Sequence, residues 1–336
     1  MQTHHLLATC DTVHLGGFSD QLPPALEVDS GDRITVETFT GFYVCDQAPA
    51  AFAPPELLAI REHLPAHRCV GPGSHLLTGP IGVRQAKPGM VLEVQLEAIA
   101  PRLAMGFNAI RSGWGCLSHR FQASALNFIP LDLDRNTAEF PPGSGIQIPL
   151  KPFFGILGVA TAAEQRSSIP PGLYGGNLDN RHLQAGSRLF LPIFLPGAQF
   201  SIGDGHAVQG DGEVDVTALE TSMNGTLRLI VRPDLASKLP LPFAETPTHW
   251  ITMGFAETLD VACTIALEKM IIFLEQWAGL SAQDAYVLCS LAVDFHITQA
   301  VNQPMRGVHG LLPKTLFPQP ITVSSPSEEL SKSQAV

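Results

Sequence analysis

The chain has 336 residues and sets 20 Lys and Arg against 31 Asp and Glu, a formal net charge of −11. Only 15% of its residues are charged and 45% are apolar, where about 25% charged is usual, and that composition excludes a disordered chain. The acid excess, with no Lys/Arg-rich run, excludes nucleic acid and anionic membrane from the expected partners.

At roughly 150 residues per domain the length suits two domains or one large one. Thirty glycines and 28 prolines predict many short elements joined by turns. The N-terminus, Met-Gln-Thr-His-His-Leu-Leu, lacks the basic start and apolar stretch of a signal peptide. Cys10, Cys45, Cys69, Cys116, Cys263 and Cys289 form no C-x-x-C pair, so they read as buried thiols in a reducing compartment. No apolar run reaches the length of a membrane span, since Glu275 cuts the nearest one. A cytoplasmic protein is expected.

In chain order, glycine turns lead into alternating apolar residues at Gly31 (Ile34, Val36), Gly89 (Leu92, Val94, Leu96), Gly186 (Leu189, Leu191, Ile193) and Gly225 (Leu227, Leu229, Val231). Alternation of period two predicts half-buried strands. Pro141–Gly145 and Ser168–Gly172 read as loops between them. After Pro247 the period changes. Leu259, Ala262, Cys263, Ala266, Met270, Phe273, Leu274 and Trp277 fall at helical spacing, Gly279 suits a C-terminal cap, and Ser281 suits the N-cap of a shorter helix through Leu288. A strand is expected over Leu291–Val301, and a polar, disordered tail beyond Pro318. The resulting expectation is a mainly β body, sandwich- or barrel-like, with a C-terminal helical pair, α+β overall. Residues 1–247 form the body with the site loops, 248–318 the helical pair and strand docked on it, and 319–336 the tail.

The stretch richest in chemistry is Gly203-Asp204-Gly205-His206-Ala207-Val208-Gln209-Gly210-Asp211-Gly212-Glu213. Its glycines make it read as a tight loop and not as a regular strand. Between Leu189 and Leu227 lie Asp204, Asp211, Glu213, Asp215 and Glu220 with no Lys or Arg. Carboxylates crowded beside apolar residues such as Phe190, Phe194, Phe200 and Ile202 must protonate, find a distant cation or bind a metal. One imidazole among carboxylate oxygens suits Zn²⁺, Mn²⁺ or Ca²⁺. Structural Gly-Asp-Gly turns and a structural Ca²⁺ site are the alternatives. Gly175-Gly176-Asn177-Leu178-Asp179 is a second, weaker cluster, and His75 is a third candidate. No Gly-x-Ser-x-Gly elbow, His-Glu-x-x-His helix or phosphate-binding loop is present. His63 and His67 are separated by Pro65, which spoils a helical ligand pair. Cys116, after Gly-Trp-Gly, has no base identifiable from sequence and reads as buried.

Residues from Ser167 to Glu220 resemble the signature of the acetamidase/formamidase family. That family carries Gly-Gly-Asn-x-Asp followed by Gly-Ala-x-Phe-Ser-x-Gly-Asp-x-His-Ala-x-Gln-Gly-Asp-Gly-Glu, here Gly197–Glu213. The likeness extends to His75–Pro80, His249–Gly254 and Ser290–Thr298, and spans roughly His14 to Phe317. Tyr174 stands where some members have a histidine before Gly-Gly-Asn, a difference that bears on amide specificity.

The resemblance implies hydrolysis of small amides such as formamide or acetamide to ammonia and a carboxylate, a mostly β fold, homodimers or higher homo-oligomers, and an associated divalent metal. Combined with the residues, it gives an expected site. His206, Asp179 and Asp204 are metal ligands, Asp211 sharing the ligand candidacy with Asp204. Glu213 is the general base, Asn177 or backbone N–H groups form the oxyanion donor, and His75 and Asp294 support the pocket. Zinc is the favoured metal, with calcium or manganese as alternatives. The rival readings are a non-catalytic ligand- or Ca²⁺-binding β domain and a metal-dependent oxygenase, whose His-x-His/Asp ligand order is reversed in Asp204-Gly205-His206.

Overall fold

The computed structural model describes residues 1–162, 165–319, 321 and 323. The expected tail beyond Pro318 therefore lies almost wholly outside the described residues. Two large sheets dominate the chain, as the short apolar alternations and turn-rich composition demand. The fold is mostly β, with helices Pro55–His63, Leu259–Ala278 and Ala282–Ala292 among the described residues. No described helix is long and apolar enough to cross a membrane.

The first sheet has nine strands. Its centre is the antiparallel pairing of Met223–Arg232 with Val91–Pro101, and it continues through Arg188–Pro192, Phe243–Glu245, His249–Ala256 and Arg306–Pro313 to Asp294–Gln299 at the edge. Leu92, Val94, Leu189, Leu191, Leu227 and Leu229 are buried in one continuous core with residues of the second sheet such as Ile156, Leu157, Phe200 and Ile202. The period-two alternation seen in the sequence is the inward face of these strands. The turn expected at Gly225 is absent: Gly225 lies inside the Met223–Arg232 strand, where a methyl would come within 3.0 Å of the Phe154 ring. Its small size admits the facing sheet; it does not turn the chain.

The second sheet has twelve strands and holds the glycine-rich block. Contrary to the loop expected there, Phe200–Val208 is a continuous and almost wholly buried strand, paired with Leu76–Val83, Phe153–Val159 and Leu219–Glu220. The glycines are needed because the neighbours are close. A methyl on Gly203 would sit 2.6 Å from Leu76 O, and one on Gly205 2.3 Å from Thr221 O. Glycine in a strand here marks close backbone approach, one of the two meanings it can carry.

The helical pair forms where the period changes to 3.6. Thr258 caps the Leu259–Ala278 helix by accepting from Val261 N, and Gly279 ends it at φ +67°. Ser281 caps Ala282–Ala292 through Asp284 N. Ala262, Ala266, Met270, Phe273 and Leu274 are buried; Phe273 packs 4.8 Å from Phe243 and 5.5 Å from Trp250, centroid to centroid. The long helix also lies on the His249–Ala256 strand, where Thr252 Oγ1 donates to Ala266 O at 2.8 Å and Lys269 Nζ to Met253 O at 2.9 Å. Pro65 acts as expected: the Pro55–His63 helix stops before it.

Gly254 lets the helix approach, since a methyl there would meet Ala262 O at 2.0 Å. Gly254→Ala is expected to push the helix off the sheet and to cost on the order of 1–3 kcal/mol, the range for overpacking. A urea unfolding midpoint equal to that of the unchanged chain would contradict this packing account.

Candidate functional site

The Phe200–Val208 strand delivers two side chains into the interior. His206 is wholly buried. Its Nδ1 lies 2.9 Å from Gln209 Oε1, while Gln209 Nε2 donates to Asp179 O at 2.9 Å. A backbone carbonyl can only accept, so the amide is oriented with its oxygen toward the ring, and Nδ1–H donates to it. The other nitrogen, Nε2, points at Asp204 Oδ2 (3.3 Å) and Glu220 Oε1 (3.4 Å), yet closes no hydrogen bond.

Four carboxylates surround this imidazole, each nearly or wholly buried: Asp179, Asp204, Glu213 and Glu220. Asp179 follows the Gly175–Asn177 strand at φ +47°; Oδ2 accepts from Asn302 Nδ2 and Oδ1 has no partner. Glu220 lies opposite His206 in the ladder and accepts from Ala218 N at 3.1 Å. Oxygen Oε2 of both Glu213 and Glu220 is also unpartnered. Asp204 and Glu213 take φ +56° and +44°. Room for the cluster comes from Gly155, where a methyl would meet Asp179 Oδ1, His206 Cε1 and Asp204 Oδ2 at 2.6, 2.8 and 2.9 Å.

Burial drives the titration of the group. It pushes Asp179 and Glu220 above the usual carboxylate range and Glu213 well above it, and neighbouring carboxylates add to the effect. Burial also acts against ionised Asp204, but the imidazoles of His75 and His206 outweigh it and hold this acid low. For His206, burial opposes the charged form, while Glu220 and Asp204 together raise it well above its ordinary value. One imidazole thus cannot keep all four carboxylates ionised in this interior. That is the condition that a divalent cation relieves.

The donors fit such an ion. One ligand atom each from Asp179, Asp204 and His206 lie within 4.8 Å of one another, and the same holds for His206, Glu213 and Glu220. His206, Asp179, Glu213 and Glu220 each present a buried atom without a hydrogen-bond partner, so each has a donor free for such an ion. Beside the cluster lies a cavity of about 250 Å³ lined by His75, Asn177, Asp204, Glu213, Glu220, Arg111 and Trp114, among others. That is below the roughly 300–1,000 Å³ of sites for drug-sized ligands. His75 Nε2 lies 4.0 Å from Asp204 Oδ2, and its Nδ1 is 2.9 Å from Ser168 Oγ. Asn177 Nδ2 donates to Ile169 O at 3.1 Å, which leaves Oδ1 without a partner.

Of the residues singled out in the sequence, Asp179, Asp204, His206 and Glu213 come together, with His75 and Asn177 at the cavity. Two do not join them. Asp294 is exposed at the start of the edge strand, outside the cavity lining. Asp211 turns away, its Oδ2 3.3 Å from His296 Nδ1, because successive carboxylates of the loop leave on different sides of Gly212. Glu220, counted among the five acids but given no role, is a full member of the cluster. Gln209, Asn302 and Arg111 were not anticipated; only Gln209, inside the block, had a signal in the sequence. Trp114 lines the cavity, with Phe39 and Tyr43. Phe107 packs with Phe52 and Phe128, and Tyr174 OH donates to Ser167 O and Pro170 O. Cys116 is exposed, not buried; its loop is held through Cys116 N to Val214 O at 2.8 Å, which fixes the backbone and leaves the thiol outside.

Residues 160–319 match the model of the acetamidase/formamidase family. The crystal structure of an acetamidase from Bacillus halodurans superposes with a TM-score of 0.79 at 28% identity, covering 93% of this chain and 98% of that one. A formamidase of Methylophilus methylotrophus is 24% identical over 317 residues, 72% of this chain and 77% of that protein. A provisionally named formamidase of Schizosaccharomyces pombe is 28% identical over 225 residues, and the match spans only 55% of that protein's length.

Because the atoms that crowd Gly155 are side-chain ends, Gly155→Ala is expected to fold but to displace the cluster. Purified Gly155→Ala protein should retain at least several-fold less divalent metal than the unchanged chain, as measured by elemental analysis. Equal retention would show that the cluster does not depend on this space.

Proposed function

From the premise that residues 160–319 belong to the acetamidase/formamidase family, we propose that the protein hydrolyses small aliphatic amides to a carboxylate and ammonia. The observation that carries the reading is the set of four buried carboxylates around His206 at the wall of a small cavity. A site of that size suits formamide or acetamide better than a long acyl amide.

His206, Asp179 and Asp204 would hold a divalent cation, with Glu220 as a further oxygen donor. One nitrogen among several oxygens suits zinc, manganese or calcium, and zinc is the ion we favour. When bound, such an ion supplies Lewis acidity, which polarises a carbonyl and makes water a better nucleophile near neutral pH. Glu213 would take the proton of the attacking water and pass it to the departing nitrogen, so that ammonia leaves as a neutral amine. Its unpartnered Oε2, on a residue of the cavity lining, supports that role. The free Oδ1 of Asn177 suits acceptance of a substrate N–H bond. The residue would thus orient the amide nitrogen, in place of the oxyanion role that its sequence position suggested. If Ser168 Oγ donates to His75 Nδ1, the ring carries its proton on Nε2, where it can stabilise charge developing on the substrate oxygen.

The same reading includes action in the cytoplasm, consistent with six free cysteines among the described residues. It also includes self-assembly through the C-terminal helices, supported by the exposure of Tyr286, Val287 and Leu291.

Ammonia release from formamide, acetamide, propionamide and urea, measured with and without chelator, tests this function. Release from formamide or acetamide that falls with chelation and returns with added zinc is expected; the untreated rate after full metal removal would sink the metal-assisted scheme. Glu213→Gln is expected to lower kcat by about 10²- to 10⁴-fold, the range for loss of a general base. Asn177→Ala should act mainly on KM if it orients the bound amide. A loss confined to kcat would return it to the oxyanion.

A further inference from the structure

A second cluster lies on the far side of Gly212 from Glu213. His309 sits on the Arg306–Pro313 strand, between Met253 and His296 of its neighbours, and is wholly buried. Thr298 Oγ1 holds its Nδ1 at 2.8 Å, and the remaining nitrogen, Nε2, has no partner. His182 comes in from the segment after Asp179, with its ring centroid 5.0 Å from that of His309; its Nε2 is likewise buried and unpartnered. Asp211 completes the group with a third unpartnered buried atom, Oδ1. One ligand atom from each of the three lies within 4.8 Å of the other two.

We propose that His182, Asp211 and His309 form a second divalent-metal site, separate from the His206 cluster, that takes zinc or a similar borderline ion. Two imidazole nitrogens and one carboxylate oxygen are donors that zinc, cobalt and nickel prefer, whereas calcium and magnesium take oxygen. The neighbours behave as supports for ligands. Thr298 orients the His309 ring, and His296 Nδ1, 3.3 Å from Asp211 Oδ2, holds the carboxylate from its other oxygen. His296 stacks on His309 at 5.4 Å with the rings 6° from parallel, which keeps it beside the site.

The site is a tie and not part of the substrate cavity, because its three donors come from three separate segments and none of them lines that cavity. His182 belongs to the chain after Asp179, Asp211 to the loop leading to Glu213, and His309 to the C-terminal sheet. The loop already touches that sheet through Gly212 N to Thr298 O at 3.1 Å and Ala300 N to Gly212 O at 3.0 Å. A metal on Asp211 adds a third tie one residue away. It therefore positions Glu213 without touching substrate. The proposal does not depend on the amide reading or on metal at His206.

Chelator-treated protein titrated with Zn²⁺ against a chromophoric competitor, with bound zinc counted by elemental analysis, tests it. The unchanged chain is expected to bind two zinc ions, and His206→Asn to keep the one held by His182, Asp211 and His309. His182→Asn and His309→Gln should each lose one. His182 is half-buried, so His182→Asn is the variant expected to keep the fold, checked by a cooperative urea transition. Replacement of zinc by Co²⁺ gives a second readout, a visible ligand-field band in the unchanged chain that weakens in His182→Asn. Should the His206 cluster bind no metal, the unchanged chain would hold a single ion that His182→Asn abolishes and His206→Asn spares, and the second site would stand. A zinc count and cobalt spectrum unaltered by His182→Asn would overturn it.

Discussion

Four carboxylates and one imidazole share a pocket of protein interior from which water is nearly excluded, and the surrounding structure is arranged to tolerate that. Ionised groups lose several kcal/mol of solvation on burial unless they are paired, hydrogen-bonded or bound to a metal. Gln209 and Asn302 supply hydrogen bonds to His206 and Asp179. Gly155 supplies space, and Gly203 and Gly205 allow neighbouring strands to close over the back of the site. Several buried oxygens and His206 Nε2 still lack partners. The proposed cation would give these atoms their partners, and the proposed chemistry rests on that.

Backbone geometry carries part of the same load. Asp179, Asp204 and Glu213 all have φ between +44° and +56°, a conformation that costs non-glycine residues on the order of 1–3 kcal/mol. Three of the nine non-glycine residues with positive φ among the described residues are site acids, positions held by their surroundings. Asn302 holds Asp179, and Thr298 and Ala300 hold the loop at Gly212, from the side of the nine-stranded sheet; the neighbours of the Phe200–Val208 strand hold Asp204 from the other. The proposed second metal at His182, Asp211 and His309 would act where these two meet, at the loop that carries Glu213.

The fold was legible wherever one period ruled a stretch. Leu259 to Trp277 repeated at helical spacing with a threonine before it and a glycine after, and the helix forms over Leu259–Ala278 with both caps in place. Alternation after Gly31, Gly89, Gly186 and Gly225 named four strands correctly. The glycine signal failed at Gly203–Val208, where glycines that usually mean a turn are the small residues of a crowded, almost wholly buried strand. At Gly225 it misplaced a turn for the same reason, while the strand formed. In the site, the glycine-framed block offered carboxylates and one histidine with no Lys or Arg between Leu189 and Leu227, and the family resemblance singled out His206, Asp179, Asp204 and Glu213. Glu220 carried no spacing signal of its own, since its place opposite His206 is set by strand register. Asp211 and Asp294 looked equivalent to their neighbours because sequence does not record which side of a loop or edge strand a carboxylate leaves.

Sequence alone determined that this chain is β-rich with a capped helical pair. It also determined that its carboxylates gather in a glycine-framed stretch without local cations, and that the stretch matches a family signature. These are local properties: periodicity, caps and composition act over a few residues. Tertiary structure decided which acids share one pocket, which face another, and where the unpartnered donors collect. Those outcomes depend on strands far apart in the chain packing at van der Waals distance, where a glycine or a one-residue step in register determines which side chains meet.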